Sequence, residues 1–172
     1  MNDIPFVDTH VHFYDLGHPE LRYSWLDPQL DHPVIGNIDA VKSRQYRPED
    51  FLAESRFNHV SKVIHVQAAL GSPDPVVETQ WLSEGFERTG IPHGIIAHSN
   101  LMADDLEAEL DRHAEFAGFR GIRDFSEGDY LVDERSAHAR RSRTCRIDRL
   151  PARNVQQGRR SRRVGTRDID LR

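Results

Sequence analysis

The chain is predicted to be an α/β protein built on a parallel sheet. Three observations carry that prediction. Short strand-like runs alternate with helix-like runs in the order βαβαβαβ. The changes between them are marked by Gly and Pro. The expected strand ends at Ala68, His98 and Asp124 are separated by 30 and then 26 residues, a spacing that suits right-handed βαβ units. Open doubly wound sheets and closed (β/α) barrels share this pattern, and periodicity does not choose between them.

The first element is a short buried strand within residues 4–13. Ile4, Phe6, Asp8, His10 and His12 fall on one face; Val7, Thr9 and Val11 fall on the other. Residues 14–47 are rich in Pro, His and Asp. At that length they exceed an ordinary connection and are expected to be a functional loop. Pro48, followed by Glu49 and Asp50, opens a helix, because proline suits the first turn and acids suit its positive end. Residues 62–70 read as the second strand, bounded by Gly71, Ser72 and Pro73. Asp74 is an N-cap, and Pro75 suits the first turn of the next helix. Its expected apolar stripe is Val77, Trp81, Leu82 and Phe86, ending at Gly90. A third strand covers residues 94–97. Asp104 and Asp105 start a third helix, with Leu106, Leu110, Ala114 and Ala117 on its apolar face. A fourth strand covers residues 119–122.

Composition adds boundaries. The chain has 172 residues, is 37% hydrophobic and 30% charged, and carries a formal net charge of −5. Its mean hydropathy is −0.66. No apolar run is long enough to span a bilayer, and residues 1–6 lack the basic and apolar regions of a secretory signal, so a cytoplasmic location is expected. One cysteine, Cys145, excludes an internal disulfide framework and a CxxC metal site. The net charge hides a division. Residues 1–134 hold 10 Lys+Arg against 25 Asp+Glu, a net of −15. Residues 135–172 hold 13 Arg, no Lys and 3 Asp, a net of +10, and no aromatic residue. We therefore expect an α/β unit over 1–134 and an irregular arginine-rich segment over 135–172.

The sharpest chemical feature is Asp8-Thr9-His10-Val11-His12. Residues i and i+2 of a strand face the same side, about 6.5–7 Å apart along it. Two imidazoles so placed can converge on one divalent ion through neutral nitrogens. They can equally hydrogen-bond a substrate carbonyl or exchange protons near neutral pH. The pair ends the first strand of a parallel α/β pattern, which is where such folds place their sites.

Residues 7–13, VDTHVHF, resemble the opening strand of the amidohydrolase superfamily. Residues 21–28, LRYSWLDP, are similar to its amidohydrolase-related branch, which includes sugar lactonases and pyrone-dicarboxylate lactonases. Val66-Gln67-Ala68 and residues 118–123, GFRGIR, fit that branch as well. The resemblance covers residues 4–133. It implies the front half, about four βα units, of a TIM-like (β/α)8 barrel. It implies hydrolysis of a lactone or a similar cyclic ester or amide. It implies that His10 and His12 are ligands of one divalent ion, zinc or manganese, in metal-dependent members, and polarise the substrate carbonyl directly in metal-independent ones. The family also needs histidines from the fifth and sixth strands and a water-activating aspartate after the eighth. His138, Asp148, Asp168 and Asp170 sit in no such motif.

Four further residues are candidates for binding substrate. Arg123 ends the fourth strand, and an arginine there can fork a carboxylate; it can as well pair with Asp124. Gln67 lies near the end of the second strand, as a pocket residue or a buried hydrogen-bonding one. His98 ends the third strand. Trp25, with Tyr23, lies in the first loop and can cover a pocket or anchor the loop. His18, His32, His59, His93 and His113 read as loop or solvated histidines.

The favoured account of residues 135–172 is a shift of coding frame in a GC-rich gene, which generates arginine-heavy, aromatic-poor text. The expectation is then a truncated, inactive hydrolase. Half a barrel leaves open edges and an uncovered inner face, so self-association is expected. The expected partner is a small, carboxylate-bearing substrate. The alternatives are a disordered tail, or a non-catalytic module whose basic arm binds nucleic acid in a salt-dependent way. An open sheet with a phosphate site is disfavoured by the absence of GxGxxG and GxxxxGK[ST].

Overall fold

The computed structural model describes residues 4–29 and 36–124. The arginine-rich segment, the boundary expected at residue 134 and His32 lie outside the described residues. Four strands, β1 (Phe6–Val11), β2 (Val60–Val66), β3 (Gly94–His98) and β4 (Phe119–Arg123), alternate with helices. They form one parallel sheet in the order β1-β2-β3-β4. The helices are α1 (Asp39–Lys42), α2 (Pro48–Ser55), α3 (Val76–Thr89) and α4 (Leu106–Ala114). No helix among the described residues is long and apolar enough to cross a membrane.

The helix ends follow local chemistry. At α2, Asp50 Oδ2 accepts the backbone N–H of Arg47 at 2.8 Å, satisfying a donor just ahead of the helix. At α3, Asp74 Oδ1 accepts the N–H of Val76 at 3.0 Å, the role expected of a capping aspartate. The helix stops at Gly90, whose φ of +82° only glycine adopts at little cost. Gly94 meets a second constraint. It pairs with Ile64 across the β2–β3 ladder, and a Cβ there would lie 2.9 Å from Ile64 Cδ1.

Strand β2 ends at Val66, two residues before the expected end at Ala68 and four before the close of the 62–70 run. Beyond Val66 the N–H groups of Ala68 and Ala69 turn to the carboxylate of Glu78 instead of a neighbouring strand. The long stretch after β1 is tied down at two places. Tyr14 and Tyr46 exchange backbone hydrogen bonds at 2.8 and 2.9 Å. Tyr23 bridges to Gly71, and a 3-10 turn spans Ser24–Leu26. Phe13, Tyr14, Tyr23, Tyr46 and Phe51 form edge-to-face and stacked pairs with centroids about 6 Å apart. They join Leu21, Leu26, Val63 and Ile95 in one core. Each such side chain, fully buried, contributes roughly 1.5–3 kcal/mol.

Three expectations are corrected. β1 is not buried: Phe6 is 49% and Val7 46% exposed, because β1 is an edge strand with no covering layer over its first half among the described residues. The buried side of α3 is Val76, Glu78, Thr79, Trp81, Leu82 and Gly85, with Phe86 exposed. The helix is rotated so that Glu78 can reach back to the loop after β2. On α4 the third buried position is His113, at helical spacing from Leu106 and Leu110; Ala114, which ends the helix, is only partly buried, and Ala117 lies beyond it and is exposed.

Candidate active site

Parallel strands deliver their C-terminal ends to one edge of the sheet, and that edge gathers the candidate residues. His10 and His12 come from the end of β1, Gln67 follows β2, His98 ends β3 and Arg123 ends β4. Trp25 enters from the loop after β1.

The two histidines meet. His10 Nε2 lies 3.2 Å from His12 Nε2, with the rings edge to face at 78°. His12 Nδ1 lies 2.9 Å from the carbonyl oxygen of Val66, which can only accept. Nδ1 therefore carries the hydrogen, and the Nε2 lone pair of His12 points at His10. Burial holds the His12 imidazole below the usual 6.5; the Val66 carbonyl opposes this, and the charges of His65, His10 and Arg123 add to it. His12 is thus neutral at pH 7, with its unprotonated Nε2 facing His10. His10 is exposed, and its backbone N–H donates to Asp8 Oδ1 at 3.1 Å.

This arrangement fits a divalent cation on geometric grounds. Two nitrogens each 2.0–2.1 Å from a tetrahedral zinc stand about 3.3 Å apart. A histidine that donates its other N–H to a carbonyl is the usual second support of a metal ligand. Without a cation, one Nε2 donates to the other. No set of three or more His, Cys, Asp or Glu side chains converges on a metal position among the described residues. The pair supplies two ligands and no more from this part of the chain.

The other candidates divide. Trp25 Nε1 donates to Ala68 O at 2.7 Å, and its ring lies 6.2 Å from that of His12, so it flanks the pair. Arg123 Nη1 donates weakly to Gln67 Oε1 at 3.4 Å, and its cation is near enough to depress His12. Gln67 is 2% exposed. It is a buried holder of Arg123, tied by its backbone N–H to Ile96 O at 2.7 Å. His98 turns to β4: its Nδ1 lies 3.3 Å from Arg123 O, so it addresses a neighbouring backbone. Tyr23 is a core residue, and its hydroxyl accepts the Asp15 N–H at 3.0 Å. An open cleft of about 680 Å3 lies elsewhere; Tyr14, Val41, Arg44, Tyr46 and Asp50 are among its lining residues, and none of the strand-end residues is.

Two buried groups escaped the sequence reading. Glu78 is 1% exposed and bonds the loop after β2. His113, expected in solvent, is fully buried, bonded to Thr79 Oγ1 at 2.9 Å and stacked on Phe119. Burial lowers its imidazole to about 4; the backbone of His98 and the charge of Asp74 oppose the shift without overcoming it. The signal for His113 was its place seven residues after Leu106 and three after Leu110, on the apolar face.

No family model matches the chain. An uncharacterized protein of Sinorhizobium fredii, y4mH, is 33% identical over 123 residues, which is 72% of this chain and 40% of that protein. A crystal structure of an amidohydrolase from Burkholderia multivorans with bound zinc superposes with a TM-score of 0.52 at 23% identity, over 79% of this chain and 44% of that one. A second crystal form of the amidohydrolase, with bound HEPES, gives 0.47 at 24% identity, over 77% and 39%. The chain therefore spans about two fifths of the length of the proteins it matches. What the likeness shows is the fold: four parallel strands and their helices, arranged as in part of an amidohydrolase.

Proposed function

We propose that these residues form the carbonyl-activating part of a hydrolase site of the amidohydrolase-related type, acting on a lactone or similar cyclic ester or amide. The observation that carries the reading is the 3.2 Å approach of His10 Nε2 and His12 Nε2 at the C-terminal end of β1, with the His12 tautomer set by Val66 O. In this reading the sheet is the front part of a (β/α)8 barrel. The zinc of the Burkholderia protein supports a divalent ion as one occupant. His10 and His12 would hold it, and when bound it supplies a Lewis acid for the carbonyl. Without a metal, His10 turns its Nε2–H from His12 to the carbonyl oxygen. Arg123, held by Gln67, grips an acidic substituent of the substrate, and Trp25 closes one side. The water's proton goes to a base outside the described residues.

The test uses the whole 172-residue chain with γ- and δ-lactones, with and without a carboxylate, in zinc, manganese or chelator. Binding of zinc or manganese, and any ring opening the chain supports, are expected to vanish in His10→Ala and His12→Ala. Arg123→Leu is expected to weaken binding of the carboxylate-bearing lactones alone. A chain that binds no divalent ion and opens none of these rings, or a rate that survives both histidine substitutions, overturns the reading.

A further inference from the structure

We propose that Glu78 is a positioning residue for the His10/His12 pair, acting through the loop that follows β2. Glu78 stands in the first turn of α3, and its side chain leans back toward the helix N-terminus, as helical side chains do. Its Oε1 collects three groups: the N–H of Ala68 at 2.9 Å, the N–H of Ala69 at 2.8 Å and, at 3.3 Å, Nε2 of His65. The last contact lacks the alignment of a hydrogen bond, and Nε2 and Glu78 Oε2 have no such partner among the described residues. His65 is 0% exposed, and its Nδ1 accepts the backbone N–H of Phe13 at 3.1 Å. That acceptance places the ring hydrogen on Nε2, facing the carboxylate.

Two routes therefore run from Glu78 to His12. One passes through the loop backbone: Glu78 fixes the N–H groups of Ala68 and Ala69, while Val66 O takes His12 Nδ1–H and Ala68 O takes Trp25 Nε1–H. The other passes through His65 to the N–H of Phe13, the residue after His12. The carbonyls that set the His12 tautomer and hold Trp25 thus belong to a segment whose amides are clamped from behind. A carboxylate buried in a core is costly unless it is hydrogen-bonded, and here its bonds go to the backbone under the pair. Helix packing alone would be served as well by an apolar residue.

The inference rests on the proposed function for what the pair does, but its first readout does not. In the full chain, imidazole 15N shifts are expected to show His12 as a single Nδ1–H tautomer. Glu78→Ala is expected to convert it to a tautomer mixture and to weaken zinc binding about 10-fold or more. Glu78→Gln, which keeps an acceptor oxygen, is expected to restore the tautomer and most of the affinity. Leu82→Ala, on the same helix, is the control: stability falls and the tautomer stays. If Glu78→Ala does not fold, Glu78→Asp, one methylene short of the loop amides, carries the same expectation. A folded Ala or Asp variant with wild-type His12 shifts overturns the proposal, as does an equal change in Leu82→Ala. If the tautomer responds to Glu78 while zinc is not bound and no lactone is opened, the positioning role stands and the hydrolase reading falls.

Discussion

Replacing His113 by leucine is expected to make folding stability less dependent on acid. His113 is fully buried, and its imidazole sits at about 4 in the folded chain, against 6.5 for an ordinary histidine. The unfolded chain therefore binds a proton between those values that the folded chain refuses. The stability contributed by the neutral ring is complete above pH 6.5 and is lost as pH falls toward 4, with a slope approaching about 1.4 kcal/mol per pH unit. Over the whole window the loss is about 3 kcal/mol. Leucine forgoes the bond to Thr79 Oγ1, which costs about 1 kcal/mol at neutral pH. The variant is then about 1 kcal/mol less stable at pH 7.5 and about 2 kcal/mol more stable at pH 4, and the curves cross near pH 6. His12 and His93, also held below 6.5 by burial, contribute to both curves alike. Urea unfolding followed by tryptophan fluorescence from pH 8 to 4 measures this. Parallel curves for the two proteins would refute the reasoning.

Three smaller perturbations test other joints. Asp74→Ala removes the cap of α3 and the ion pair with Arg112, and a loss of about 1–2 kcal/mol is expected in the same unfolding assay; Asp74→Asn keeps the cap and should lose less than about 1 kcal/mol. Gly90→Ala meets no atom within 4 Å of the new Cβ, so its expected cost of about 1–2 kcal/mol is purely the positive φ; no change in midpoint would count against that geometry. Trp25→Phe keeps an aromatic ring beside His12 but leaves Ala68 O without its indole donor, and about 1 kcal/mol of stability is expected to go, read from thermal or urea midpoints.

The parts of this molecule that were legible in the sequence are those where local chemistry and tertiary structure agree. Pro48, Asp74 and Gly90 punctuate the chain at the ends of α2 and α3 because backbone geometry at such points depends on few neighbours. The alternation in residues 4–13 shows which side chains share a face. It does not show whether a layer covers that face, and so it did not reveal that Phe6 and Val7 lie at an exposed sheet edge. Glu78 was illegible for a different reason. An acid in the first turn of a helix is well explained by the helix dipole, and nothing local indicates that its oxygen reaches nine and ten residues back to the loop amides. The His10/His12 pair was legible because two residues so close in sequence, one among the last residues of β1 and one just past its end at Val11, largely determine their own relative placement. Their support was not, because Val66, His65 and Glu78 come together only through the fold.

The bridge between Tyr14 and Tyr46 bears on how such a chain can change. Tyr14 and Tyr46 are neighbours in space, and Tyr23 and Trp25 are fastened to Gly71 and Ala68. The chain is consequently held at fixed points near Leu26 and at Tyr46. Closing a longer loop between fixed ends costs only about 0.6 kcal/mol for each doubling of its length. Length added between those two anchors thus costs the strand ends little, so recognition loops can be exchanged there while the scaffold around them is kept.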